Sequence, residues 1–399
     1  MSTDNYRITA KLGGGPVFLG IAALGAVLCG VSYTQGHQAF FASYLTAFCY
    51  FLALALGSFF FVFVQHLARS AWSVTIRRIS ESTAANLPWM FFLFIPVLLG
   101  SKELLMWLDP AVRANDHLVH IKEAYLNPTF LYVRVGIYFA LWGVFTYFFL
   151  NNSKKQDESK DPALTLKMGK VAAGAAIVFA LSQTFFAFDW IMSLDPHWFS
   201  TMFGVYFFAG SVVLQYSFLI LMTALLRAKT GRKDVFRKDH FHDAGKLLFG
   251  HNVFWTYIGF SQFFLIWYAN LPEETAFYHH RAVDSWKVIS LMLPWCHFAI
   301  PFLGLMSWHV KRNIPAISAV CVWFLVICYI DIYWLIQPNF HPQGPTFGIG
   351  DVGSLLVVGG MFMFMLFRRL NSANLIPMGD PRLKDCLTYD NGVPDNEQH

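Results

Sequence analysis

Charge is what this sequence has least of. Only 13% of its 399 residues are Asp, Glu, Lys or Arg, against about 25% in a typical soluble protein, which argues against a set of water-exposed domains. Cysteine is sparse and unpatterned. The six (Cys29, Cys49, Cys296, Cys321, Cys328, Cys386) form no CxxC, no CxxCH and no His/Cys cluster, so zinc, iron–sulfur and c-type haem lack a visible ligand set. A bis-histidine haem needs paired mid-membrane histidines on facing helices, and only His297 is central to an apolar run. No P-loop, Rossmann glycine pattern or nucleophile elbow stands in a fitting context. No polar stretch is long enough to fold as a separate catalytic domain.

What is abundant is apolar and aromatic. The chain is 56% hydrophobic and contains 42 Phe, with a mean hydropathy of +0.46. This is the composition of an integral membrane protein. The net charge of +5 does not point to nucleic acid, because polytopic proteins gather Lys and Arg in cytoplasmic loops.

Ten apolar runs are long enough to span a bilayer, at residues 15–33, 42–65, 87–106, 130–150, 169–192, 203–226, 247–271, 287–308, 314–336 and 352–367. No cleavage site ends the first, so it reads as a retained span. With ten spans both termini share a side. The N-terminus, the even-numbered loops and the tail carry 23 of the 29 Lys and Arg, seven of them between Arg227 and Lys246, which places both termini in the cytoplasm. The expectation is one polytopic domain over 1–399, with residues 1–14 a cytoplasmic N-terminus and 370–399 a polar, mobile cytoplasmic tail.

Two short motifs recur. Leu87-Pro88-Trp89 with Ile95-Pro96 matches Leu293-Pro294-Trp295 with Ile300-Pro301, and Met106-Trp107-Leu108-Asp109-Pro110 parallels Met192-Ser193-Leu194-Asp195-Pro196. In each Asp-Pro pair, Asp as N-cap and Pro at the first helical position predict a short surface helix. The stretch holding Glu273, Glu274, His279 and His280 reads as a solvated loop.

An ionisable group at mid-bilayer costs about 2.5 to 3.5 kcal/mol on insertion scales, so each one asks for a reason. The candidates form a depth-graded set: inner His251, central His297, and outer Asp331, Asp189 and Glu103. Such a set suits proton movement. His251, Trp255, Ile258 and Gln262 share one helical face, and Cys321, Phe324, Cys328 and Asp331 share another; both should point into the bundle. Structural roles stand beside this reading. Asp189 and Asp331 can cap an element or pair with an outer Lys or Arg, Lys102 with Glu103 can form an interfacial ion pair, and His251 can be an interfacial histidine. Pro294 and Pro301 free backbone carbonyls around His297 and let water or another helix approach.

The stretches Phe188-Asp189-Trp190-Ile191-Met192-Ser193-Leu194-Asp195-Pro196-His197-Trp198-Phe199-Ser200, His240-Phe241-His242-Asp243-Ala244-Gly245-Lys246 and Trp267-Tyr268-Ala269-Asn270-Leu271-Pro272-Glu273-Glu274-Thr275 resemble the F subunit (ActF) family of bacterial alternative complex III, which is related to NrfD-like membrane subunits. That resemblance implies a bacterial inner-membrane complex oxidising quinol. Haem c and iron–sulfur clusters would sit in partner subunits: an NrfD-like C subunit, multihaem cytochromes and an iron–sulfur protein, with a terminal oxidase as a further partner. It also implies two four-helix bundles, spans 2–5 and 6–9, with peripheral first and last helices, and a non-redox subunit without a cofactor of its own that contributes structure and a proton path. The competing readings are a quinol-binding NrfD-like anchor of a molybdopterin or iron–sulfur enzyme, and a stand-alone secondary transporter.

Overall fold

The computed structural model describes residues 12–389. Among them there is no β-strand, and nine helices are long and apolar enough to cross a membrane. The chain is an all-α polytopic membrane protein. Its main helices are α1 (Gly15–Gln35), α2 (His37–Leu67), α3 (Val74–Ala84), α4 (Leu87–Leu99), α5 (Pro128–Ser159), α6 (Pro162–Trp190), α7 (Phe203–Thr230), α8 (Lys238–Ala269), α9 (Trp286–Leu293, running on as Pro294–Ala299 and Ile300–Met306), α10 (Ile314–Ile336), α11 (Ile349–Asn371) and the short α12 (Leu383–Thr388). The expected seventh span lies in α8. That helix has 32 residues, about 48 Å at 1.5 Å each, but His251, Asn252 and Gln262 lower its hydropathy and it falls outside the nine.

Several starts follow from local chemistry. Asn127 and Asp161 each precede a proline at the first helical position, and Asn313 precedes one at the second. Their side chains accept from the amides of Phe130, Ala163 and Ala316 at 2.9, 2.9 and 3.0 Å, satisfying donors the helix leaves open.

The helices form two groups. α2, α3/α4, α5 and α6 pack together, as do α7, α8, α9 and α10, and the two groups meet where α2 runs along α7. There the backbones are so close that a Cβ on Gly57 would lie 2.2 Å from the Ser211 carbonyl oxygen. α2 is the central element: 83% of its most apolar window is buried, against 22% for α1. α1 and α11 pair at the periphery through small residues, a Cβ on Gly25 falling 2.3 Å from the Val357 nitrogen. Small residues of this kind are how membrane helices gain close van der Waals contact.

The third span departs from expectation. It begins at Val74, not near residue 87, and ends at Leu99; Lys102 and Glu103 lie beyond it, exposed, in a short turn of helix (Ser101–Leu104). Arg77 and Arg78 are therefore not loop charges. They are fully buried on α3 with Glu81, a placement their neutralisation permits. Arg77 bonds Glu81 at 3.0 Å and Asp380 at 2.6 Å, while Arg78 bonds Glu81 at 3.0 Å and Asp157 at 2.9 Å.

Asp380 belongs to the segment expected to be a mobile polar tail, and that expectation fails for residues 370–389. Leu375, Ile376, Leu383 and Cys386 are buried. Gly379 lies against α5 so closely that a Cβ would sit 1.7 Å from the Gln156 carbonyl oxygen. Cys386 reaches the Trp72 carbonyl at 3.1 Å. The tail is polar on average but amphipathic in detail. Residues 390–399 of that expectation, and 1–11 of the N-terminal one, lie outside the described residues. The outer surface differs too. Asp109 caps a helix (Pro110–Asn115) by accepting from the Ala111 amide at 2.8 Å, whereas Asp195-Pro196 forms only a turn. Glu273, Glu274, His279 and His280 lie on a helix (Pro272–Ala282), not a loop.

Burial pushes the Asp380 carboxyl upward, but Arg77 and Arg382 outweigh it and hold it below the usual carboxylate range. Its stabilisation is present above the unfolded value of about 3.9 and is lost as pH falls through the lowered folded value. Asp380→Asn should therefore release the tail at neutral pH, because one side of a buried ion pair is worth about 3–5 kcal/mol when its partner is removed. Limited trypsin digestion at Arg382 and Lys384, and maleimide labelling of Cys386, should both accelerate. Unchanged rates would show that apolar contacts alone hold the tail.

Candidate functional site

The second helix group encloses a buried carboxylate. Asp331, on the inward face of α10 with Cys321, Phe324 and Cys328, is 4% exposed, so the face expected from helical spacing is the face observed. Its Oδ1 accepts from the Tyr206 hydroxyl at 2.6 Å and its Oδ2 from Trp255 Nε1 at 3.2 Å. Both donors are neutral, and among the described residues no Lys or Arg pairs with Asp331. Gly210 on α7 leaves room here, a Cβ at that position falling 3.7 Å from Asp331 Oδ2.

His297 lies beside this carboxylate. Its ring stacks on Trp255 with centroids 3.6 Å apart and planes 13° apart. Nδ1 meets Asn252 Oδ1 at 3.3 Å and Nε2 meets the Cys328 thiol at 3.6 Å. His297 is wholly buried in a π-helical turn (Pro294–Ala299) opened by Pro294, a local widening that often marks functional sites. The two residues were expected to lie half a membrane apart. Instead they flank one tryptophan, because the π turn carries His297 onto α8 beside Trp255.

A small cavity adjoins Asp331, lined also by Tyr206, Ser211 and Cys328, with a volume of about 10 Å³, enough for one water. Ser211 leads inward along α7: one turn on is Gln215, whose Nε2 donates to Ser80 Oγ on α3 at 3.0 Å. Ser80 neighbours Arg77, Arg78 and Glu81 in sequence. A Gln215–Ser80 hydrogen bond thus lies between the ion network of α3 and the helix group that holds Asp331. Sequence reasoning missed it, since Ser80 and Gln215 carry no charge and are joined only by tertiary packing.

The remaining expected residues lie apart. His251 is half-buried on α8, its Nδ1 2.8 Å from the Leu247 carbonyl oxygen, and lines a separate cleft of about 530 Å³ with Phe60, Gln65, Trp72 and Tyr216. Asp189 is buried in the first group and fully neutralised: Arg134 Nε and Nη2 donate to its two oxygens at 2.9 Å each, and Tyr138 donates at 2.7 Å. Arg134 is also sandwiched by the rings of Tyr125 and Phe130, 4.0 and 4.2 Å from their centroids. Glu103 is exposed, and its backbone oxygen accepts from Gln38 Nε2 at 3.3 Å. Glu103, Asp189 and His251 thus do not join His297 and Asp331.

Among the described residues, no group of three His, Cys, Asp or Glu side chains could hold a metal ion. Comparison of the chain with models of known protein families and with characterised proteins finds no match.

The two carboxylates should respond differently to substitution. Asp189→Ala strands Arg134 and should cost about 3–5 kcal/mol, read as a large loss of thermal stability in detergent. Asp331→Asn retains an acceptor for Tyr206 or Trp255 and should cost about 1 kcal/mol. Equal losses would remove the distinction between a structural pair and a poised acid.

Proposed function

We propose that this chain is a non-redox membrane subunit of a quinol:electron-acceptor oxidoreductase of the alternative complex III type, contributing structure and a proton path. The motif resemblance to the F subunit family supports the assignment to that complex. The observation that supports the proton role is the uncompensated Asp331 in the bundle core, beside His297 and a water-sized cavity. A buried acid held only by neutral donors can exist charged or protonated without stranding a cation, and His297 can carry its proton on either ring nitrogen. The path therefore runs through Asp331 and His297 on the second helix group. Asp189 and Arg134 lock the first group.

In this reading haem c and iron–sulfur clusters belong to partner subunits, and electrons do not pass through this chain. The location is the bacterial inner membrane, with both termini cytoplasmic. The cleft beside His251 favours a second reading, a quinol-binding NrfD-like anchor, since its volume lies in the usual range for small-molecule sites, roughly 300–1,000 Å³.

Migration of the solubilised chain on a blue-native gel tests the complex. Co-migration with multihaem cytochrome is expected, while a lone band would favour a stand-alone transporter. Function is tested in proteoliposomes holding the whole complex. His297→Phe and Asp331→Asn should keep quinol oxidation in uncoupled vesicles while proton release per electron drops towards the uncoupled baseline. Variants that assemble, turn over and release protons like the parent would make these residues structural contacts.

A further inference from the structure

A groove on the lipid-facing side runs between α4 and α11. Asn86, Met90 and Leu93 line it from one helix, at spacings that share a face, and Met361 and Met365 from the other. Its volume is about 160 Å³. Trp89 and Phe92 beside it are 45% and 58% exposed, as suits surface that meets hydrocarbon. The next position on the face of Met361 and Met365 is Arg369, where the apolar stretch of α11 ends. From Met361 to Arg369 is eight residues, about 12 Å of helix, close to the depth of one leaflet's hydrocarbon, half of about 30 Å.

The charge at that end is one-sided. Arg369 Nη1 donates to the Ser82 carbonyl oxygen at 3.4 Å and to Asn86 Oδ1, which anchors the side chain at the head of the groove. Arg368 is exposed beside it, and Lys154 is within electrostatic reach of Arg369. Among the described residues no ion pair is formed by Arg368 or Arg369, and Lys154 feels Glu81 and Asp157 only at longer range. The nearby carboxylates are taken: Glu81 and Asp157 by Arg77 and Arg78, Asp380 by Arg77 and Arg382. A flexible, methionine-rich apolar slot headed by unneutralised cations at a membrane boundary is complementary to an anionic lipid.

We propose that this groove binds one anionic phospholipid, its phosphate at Arg368, Arg369 and Lys154 and one acyl chain between Met90 and Met365. The occupant is a lipid and not a free anion because the apolar slot and the cations are continuous. An anionic headgroup is favoured over a zwitterionic one because the nearby carboxylates are already engaged by Arg77 and Arg78 and are not free to meet a choline or ethanolamine cation.

The test is native mass spectrometry of the full chain in detergent, titrated with dioleoyl phosphatidylglycerol or with phosphatidylcholine of the same chains. Phosphatidylglycerol should hold the first binding step at least tenfold more tightly, as two to three cations near a phosphate predict at about fivefold each. Arg368→Gln should weaken it about fivefold. Met365→Trp, which fills the slot and leaves every charge in place, should weaken it comparably. Lys229→Gln, an exposed cation elsewhere on the same side of the protein, should change nothing. Melting temperatures close to the parent's will show that each variant is folded; should Met365→Trp unfold the chain, Met361→Phe replaces it. Equal affinity for the two lipids overturns the proposal. So does tight phosphatidylglycerol binding that survives both Arg368→Gln and the groove-filling variant, which would place the lipid elsewhere. Displacement of the lipid by millimolar inorganic phosphate, with no effect of the groove-filling variant, would reduce the site to a surface anion site and also overturn it.

Discussion

A charged group in a low-dielectric interior must be neutralised or given a purpose, and this constraint organises most of the molecule. α3 carries two arginines and a glutamate into the protein, where each isolated ion would cost several kcal/mol after relaxation. Three acidic side chains from three separate parts of the chain, Glu81, Asp157 and Asp380, answer them. That requirement fixes where α5 ends against α3, and it turns the segment after α11 from a dangling tail into part of the packed end of the helix bundle. The apolar residues of that segment then bury around the ion pair, so charge sets the docking position and hydrophobic burial adds to its stability.

The same constraint explains what the sequence does and does not disclose. The all-α polytopic class and the approximate position of most spans are legible because hydrocarbon thickness demands a run of minimum length, and the inward faces of α8 and α10 are legible because helical spacing is fixed. Trp255, Cys328 and Asp331 fall where periodicity puts them. What is not legible is pairing across elements. Arg77 and Arg78 read as loop charges because counting positive residues assumes that a buried arginine is too costly, and the assumption fails once Asp157 and Asp380 arrive from 79 and 303 residues away. The tail reads as polar because its averaged hydropathy hides Leu375, Ile376 and Leu383. Asp331 and His297 read as distant because depth was assigned helix by helix along straight axes. The π turn after Pro294 shifts the register, and no local pattern announces that shift beyond the prolines themselves.

Asp189 and Asp331 show why charge alone is a poor guide to function in such a protein. Both are near the C-terminal ends of their helices and both are buried, and from sequence they are equivalent. Asp189 receives a bidentate guanidinium, a tyrosine hydroxyl and two flanking aromatic rings for its arginine, a set that holds one geometry. Asp331 receives only two neutral donors and shares a water-sized cavity with a thiol and a tyrosine. At Asp189 a guanidinium sits against both carboxylate oxygens, whereas no opposite charge lies beside the Asp331 carboxylate. The difference lies in whether a cation was placed beside each carboxylate. Arg134, in the second turn of its helix and opposite Asp189, is what assigns one acid to structure and leaves the other free for chemistry.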